Sequence, residues 1–367
     1  MTMLTAIGLM SGTSMDGVDV ALIESDGERI ERLGPAGYRP YSREERNLLR
    51  TALVEAVGMT DRDARTPLMA ETEKTITGVH AEAVEAFLAD NKIDRSQIAI
   101  VGFHGQTVLH KPEARLTVQI GDGAMLARKL ALPVAYDFRA ADTAAGGQGA
   151  PLVPVFHRAL AESFTEARPL AVLNIGGVAN ITYLDDGSDP IAFDTGPGNA
   201  PIDDLMRARN GHTHDAEGGF AAKGKADENI VAQILSNPFF AKTPPKSLDR
   251  AAFARLPLDQ LGLEDAAATA TAVVAASIAK ALALLPKKPA MLIVAGGGAR
   301  NATLLDMLRK RANVPVKTAN EIGWTGDALE AQAFAFLAIR SLKGLPITFP
   351  ATTGVAKPLT GGVIARP

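Results

Sequence analysis

The chain of 367 residues contains no cysteine. That excludes a disulfide scaffold, a cysteine nucleophile and thiolate zinc sites. Aromatic residues are scarce at 5%, with Trp324 the single tryptophan, and neither sign of charge dominates, the formal net charge being −3. Charges spread this evenly leave no basic face for nucleic acid. Residues 1–10 carry no basic n-region and no small-residue cleavage site, so no signal peptide is read. The most apolar stretch, 266–285, is interrupted by Lys280, preceded by Glu264 and Asp265, and rich in Ala and Thr. It reads as a buried helix rather than a membrane span. With no cysteine and no span, a cytoplasmic protein is expected. What the chain has in quantity is glycine, 34 residues of it, much of it clustered. Clustered glycine marks backbone approached closely by something else, or tight turns.

At roughly 150 residues per domain the length predicts two domains. The first half opens with an apolar strand at 6–10, a turn from Ser11 to Gly17 and an alternating strand at 18–24. Helical spacing follows at 42–57 and 67–90, then strands at 98–103 and 117–120 and a short helix at 123–130. The second half repeats the opening: a strand at 170–174, a Gly176-Gly177 turn and a strand at 179–184, with a strand at 191–193 behind them. A helix at about 265–285, a strand at 290–295 and helices at 302–312 and 327–342 complete it. The tail, 344–367, is rich in Pro, Gly and Thr and reads as extended coil. The pattern predicts an α/β protein of two related lobes with a cleft between them. The lobes are placed at 1–140 and 141–343, with 344–367 free to return to the first.

Common nucleotide signatures are missing. Gly219-Phe-Ala-Ala-Lys-Gly224-Lys225-Ala226 resembles a P-loop, but Ala226 lacks the hydroxyl that holds Mg²⁺ and no strand precedes it. No G-x-G-x-x-G follows a strand, and the protein-kinase signatures are absent. Around Ser14 the second glycine of a G-x-S-x-G serine-hydrolase elbow is missing.

Four constellations carry chemistry. Gly12-Thr13-Ser14-Met15-Asp16-Gly17-Val18-Asp19 sits between two strands, where backbone N–H groups and hydroxyls converge on an anion such as phosphate. Asp16 and Asp19 would repel that phosphate unless Mg²⁺ lies between. Asn174-Ile-Gly176-Gly177-Val-Ala-Asn180 is the same device in the second half. Gly296-Gly297-Gly298-Ala-Arg300-Asn301 joins a strand to a helix and would let adenosine lie against backbone. Phe193-Asp194-Thr195-Gly196-Pro197-Gly198-Asn199 places a carboxylate after a strand and before a rigid turn, a good position for a general base. Further candidates are His104, Gln106 and Thr107, then Arg139, which is suited to steady negative charge, and Glu330 near a helix start. His212-Thr-His214 lacks a third metal ligand at suitable spacing and reads as solvated loop.

Three glycine turns on two α/β halves resemble the superfamily of actin, sugar kinases and heat-shock ATPases. A narrower resemblance lies in the blocks Ile7–Asp19, Gly102-Phe-His-Gly-Gln-Thr107, Asp137-Phe-Arg139 with Gly146-Gly-Gln-Gly-Ala-Pro151, Asn174-Ile-Gly-Gly177 with Asn180, Phe193–Asn199 and Gly326-Asp-Ala-Leu-Glu330-Ala. In order, from residue 7 to about 333, they are similar to those of anhydro-N-acetylmuramic acid kinases. The resemblance implies ATP and Mg²⁺ as cofactors and 1,6-anhydro-N-acetylmuramic acid as substrate. The products implied are N-acetylmuramic acid 6-phosphate and ADP, in peptidoglycan recycling, with a water consumed; a cytoplasmic homodimer is implied too. It makes Asp194 the base for water at C1. Arg139 and Glu330 become sugar-site residues, Glu330 either steadying positive charge near C1 or orienting water, and His104, Gln106 and Thr107 become sugar contacts. The glycine turns with Asn180 and Asn301 become the nucleotide site. Two competing readings are a sugar kinase that phosphorylates a plain hydroxyl and an ATP-switched binding protein, though the chain offers no second module for a peptide.

Overall fold

The computed structural model describes residues 2–367 apart from Thr13, Ser163, Thr165 and Glu166, with the backbone only at Ala251. The chain divides into two units, Met1–Phe164 with Ala328–Pro367, and Thr165–Asp327.

In the first unit, β1 (Leu4–Met10) and β2 (Gly17–Ser25) pair antiparallel, and β3 (Ile30–Pro40) extends the meander. β3 has no clear signal in the sequence because Gly34, Pro35 and Gly37 interrupt it. It is an edge strand with register shifts, and an edge tolerates a missing N–H. Helix α1 (Arg43–Ala56) starts at a capping box: the Ser42 hydroxyl accepts from the Glu45 N–H while the Glu45 carboxylate accepts from the Ser42 N–H. Helix α2 (Pro67–Asp90) starts at Thr66 with proline in its first turn and stops at Asn91. Then come β4 (Ile98–Phe103), a hairpin of β5 (Gln106–Lys111) and β6 (Leu116–Ile120), α3 (Gly123–Leu130), β7 (Val134–Tyr136), α4 (Ala140–Ala144) and α5 (Pro154–Glu162).

The second unit begins with β8 (Leu170–Ile175), β9 (Val178–Leu184) and β10 (Ile191–Pro197). It continues with α6 (Ala200–Asn210), α7 (Glu228–Leu235), α8 (Leu263–Leu282), β11 (Met291–Ala295), α9 (Ala302–Ala312) and β12 (Val316–Thr318). α8 is long and apolar enough to cross a membrane, yet 83% of its most apolar window is buried inside the protein. Its Ala266–Ala268, Val274 and Ile278 belong to a core shared with Leu173, Ile181, Leu292 and Val294.

The chain then returns to the first unit with α10 (Leu329–Leu342), α11 (Pro350–Thr353) and β13 (Val363–Ala365), which pairs antiparallel with β7. The tail is therefore built into the first unit rather than lying along it as coil. The unit edges at 164/165 and 327/328 also differ from the expected 140/141 and 343/344. The reason is α10, which packs on β1 and β4 of the first sheet. It can do so because Gly8 and Gly102 are register partners on those strands, and any Cβ there would overlap the helix backbone at the Ala331 and Phe334 carbonyls.

The first sheet runs β13-β7-β4-β1-β2-β3 and the second β10-β9-β8-β11-β12. In each, a three-strand antiparallel meander is followed by two strands that run parallel to its first strand. The two units are thus related lobes of the expected actin-like, ribonuclease H-like type.

Candidate active site

The first unit builds two connected clusters. One braces the turn after β1. The Tyr41 hydroxyl donates to the Ser11 hydroxyl at 2.8 Å, Ser11 donates to Gln106 Oε1 at 2.6 Å, and Gln106 Nε2 donates to the Gly12 carbonyl at 3.1 Å. The direction follows because Ser11 has one proton, spent on a carbonyl-type oxygen. Gln106 is 1% exposed, so both ends of its amide serve the turn rather than the surface. Within the turn, the Ser14 hydroxyl donates to the exposed carboxylate of Asp16 at 2.6 Å, and Met15 adopts φ 51°. Gly17, Val18 and Asp19 already belong to β2, with Asp19 opposite Met10. Thr13 lies outside the described residues.

The second cluster is centred on Arg139, at the start of α4. Its Nη1 donates to the Gly149 carbonyl at 2.8 Å and its Nη2 lies 3.1 Å from His104 Nε2. The other ring nitrogen, Nδ1, is 2.8 Å from the Gly105 carbonyl, which only accepts. Nδ1 therefore carries the proton and Nε2 accepts from Arg139. Burial pushes the His104 pKa down to about 3, so the ring stays neutral and keeps this tautomer. Asp142 locks the glycine loop from the other side: Oδ1 accepts from the Gly149 N–H and Oδ2 from the Thr353 hydroxyl, both at 2.6 Å. Thr353 comes from α11, so the tail contributes to this cluster.

Burial lowers the Arg139 pKa to about 10, against the pull of Glu330 and Asp142, and the guanidinium stays cationic. Glu330 lies in the first turn of α10, open to solvent. Although the side chain reaches solvent, the protein around it strips enough water from its carboxyl to raise its pKa, with Arg139 opposing. Phe334, one turn further along the same helix face, packs at a tilt against the His104 ring with 4.7 Å between centroids. That helix face ties Glu330 to the His104–Arg139 pair. Thr107 stands on β5 with its hydroxyl buried and unpartnered.

In the second unit the register places Asp194, Asn180, Asn174 and Ala295 in one row across β10, β9, β8 and β11. The chemistry-bearing turns all leave from the end of that row. The Asn199 and Gly198 N–H groups donate to the Gly176 and Gly177 carbonyls at 2.7 and 2.9 Å. Gly296 and Gly298 close against the same turn, where a Cβ would overlap the Asn174 side chain and the Ile175 side chain respectively. Gly297 opens the one-turn helix after Gly296, and Asn301 caps α9 by accepting from the Leu304 N–H at 2.9 Å.

Asp194 does not follow its strand as expected. β10 continues through Thr195, Gly196 and Pro197, with a register shift between Asp194 and Gly196. The Gly-Pro pair looks like a turn in sequence, but the bulge absorbs the extra residue and the edge position tolerates the proline. The Asp194 N–H donates to the Lys246 carbonyl at 2.9 Å, and Oδ2 accepts from the Leu248 N–H at 2.7 Å. Desolvation raises the Asp194 carboxyl to about 6, with the Leu248 N–H and the Lys246 charge opposing.

Lys246 and Leu248 carry no sequence signal, since they follow Pro244-Pro245 in an unpatterned loop. Tyr41 and Thr353 likewise act only through long-range contacts, whereas Asp142 ends the candidate stretch that begins at Asp137 and bonds Gly149 close by in the chain. His212 and His214 are exposed, and among the described residues no group of three or more His, Asp or Glu gathers to hold a metal. Trp324 is buried at 6% exposure.

The family model for anhydro-N-acetylmuramic acid kinase matches residues 4–367. The chain is 60% identical over 366 residues to an anhydro-N-acetylmuramic acid kinase of Bradyrhizobium diazoefficiens, covering 100% of both chains. It is 58% identical, with the same coverage, to the one from Rhodopseudomonas palustris strain HaA2. Among solved structures, component A of the (R)-2-hydroxyglutaryl-CoA dehydratase of Acidaminococcus fermentans is similar over 93% of this chain and 99% of its own, at 12% identity and a TM-score of 0.49. That likeness is too distant to argue from, and the lobe topology rests on the register above. The full-length match and the sequence identity establish that the chain belongs to the anhydro-N-acetylmuramic acid kinase family.

Proposed function

We propose that the protein opens 1,6-anhydro-N-acetylmuramic acid with water and transfers the ATP γ-phosphoryl group to O6, giving N-acetylmuramic acid 6-phosphate and ADP. The observation that carries the reading is Asp194: its carboxylate accepts from the Leu248 N–H, its own N–H is fixed on the Lys246 carbonyl, and its pKa is near 6. Such a group is ionised at neutral pH and still basic enough to accept a proton. Asp194 takes a proton from water as the water oxygen bonds to C1. The C1–O6 bond breaks, O6 attacks the γ-phosphorus, and the bond from that phosphorus to the bridging oxygen of ADP breaks. The leaving O6 needs no acid, because the phosphoryl group takes the proton's place.

The turns at Gly12–Asp19 and at Gly176, Gly177 and Asn180 would hold the phosphates, with Gly296, Gly297, Gly298 and Asn301 toward the adenosine. Asp16 and Asp19 offer hard carboxylate oxygens, and Mg²⁺ takes one or two of these beside substrate phosphates. When bound it would neutralise charge on the β- and γ-phosphates. Arg139 and Glu330 face the sugar in this reading, while the His104 ring and the Gln106 amide hold Arg139 and the phosphate turn in place. Thr107, its hydroxyl unpartnered, remains a sugar contact. The enzyme would act in the cytoplasm, as a homodimer, in peptidoglycan recycling.

With Mg·ATP and 1,6-anhydro-N-acetylmuramic acid, ADP and a 6-phosphosugar should appear in equal amounts. ADP formed without a phosphosugar overturns the proposal. A base must be ionised to work, so kcat/KM should hold at neutral pH and fall as pH drops through about 6. A profile flat down to the ordinary aspartate range near pH 4 would contradict the role of Asp194.

A further inference from the structure

A lysine is expensive to bury, and Lys246 is only 8% exposed. Its ammonium donates to the Phe239 carbonyl at 3.0 Å and stands 4.5 Å from the centre of the Phe239 ring. It lies 5.7 Å from the ring of Phe193, the residue immediately before Asp194. Two residues on, Leu248 packs against the apolar cluster containing Phe239, Phe240 and Phe253. The segment between is therefore pinned at both ends, and its main chain makes both bonds to Asp194 described above.

We infer that Lys246 is a positioning residue for Asp194: it anchors the segment whose main chain bonds Asp194 and adds a cationic charge to the surroundings of its carboxylate. This rests on the reading of Asp194 as the base. Three charged groups act on Lys246. Lys280, whose ammonium is held by the Leu235 carbonyl at 2.9 Å, and Lys242 both repel it, and Asp194 attracts it. Desolvation is the largest influence and pushes its pKa down to about 8, so it is still largely cationic at neutral pH.

The test follows the Leu248 amide by NMR across the acid and neutral range, since its proton is donated to Asp194. In the native protein the resonance should titrate near pH 6. Lys246→Met should move the midpoint up by about one pH unit, and Lys246→Arg should return it most of the way. The acid limb of kcat/KM should move in parallel. A lysine that only fills space would lower activity without moving either midpoint, and that result overturns the inference. Should Lys246→Met fail to fold, the reciprocal measurement decides. In Asp194→Asn, the ¹³C-labelled Lys246 Cε should titrate below about 8, and an unmoved midpoint there also overturns it. Full turnover by Asp194→Asn would sink the base reading instead, and the NMR midpoints would still report the Lys246–Asp194 coupling.

Discussion

Asp194→Asn should bind ATP and the anhydro-sugar and lose turnover by about a thousandfold. The substitution conserves shape. The new amide oxygen can still accept from the Leu248 N–H, and the bond from the residue-194 N–H to the Lys246 carbonyl does not involve the side chain. What disappears is the capacity to take a proton from water. Binding by calorimetry with a non-hydrolysable ATP analogue should be near native, while ADP release in the presence of sugar falls. Equal losses of binding and turnover would mean that the side chain shapes the site and does not act as base. Undiminished turnover would remove Asp194 from the mechanism altogether.

Gly8→Ala should destabilise the protein by about 3 kcal/mol, the upper end for overpacking. The added methyl would overlap the Ala331 carbonyl oxygen and lie 2.5 Å from the Ala335 amide nitrogen. Both obstacles are backbone of a buried helix, so no side chain can swing aside to make room. Relief requires α10 to lift from β1, and Gly102 beside it holds the same helix down. Because Glu330 and Phe334 ride on α10, surviving protein should also show weakened sugar binding. Gly58→Ala is the control: nothing lies within 4 Å of a Cβ there, and its stability should be unchanged or slightly raised. Urea denaturation of both variants reads the difference. Matching midpoints would show that the helix–sheet contact is looser than described.

The parts of the fold legible in sequence are those fixed by local rules. Thr66-Pro67 and Asn91 bound α2 because a cap, a first-turn proline and a C-terminal Asn act within a few residues. Asp122 and Asn301 do the same for α3 and α9. β3 was not legible, since its glycines and proline look like loop and only pairing with β2 makes it a strand. The end of β10 reads as a turn for a related reason, as a bulge has no signature beyond the residues of a turn. At the site, the glycine turns and Asp194 stand out because their residue types are costly anywhere else. The partners of those residues do not. His104 and Gln106 are polar residues beside a motif, and nothing local says whether they face a ligand or an arginine. Lys246 is a lysine after two prolines, and its burial against Phe193 and Phe239 depends on contacts far apart in the chain.

The proposed reaction couples water attack at C1 to phosphorylation of O6 in one turnover. Turnover of the unlabelled anhydro-sugar with Mg·ATP in ¹⁸O-water tests it most directly, with product quenched before the free anomeric hydroxyl can exchange. One ¹⁸O per phosphosugar is expected, located at C1, with the oxygen bridging C6 and phosphorus unlabelled. Product without label at C1, or label delivered mainly into inorganic phosphate, would contradict it.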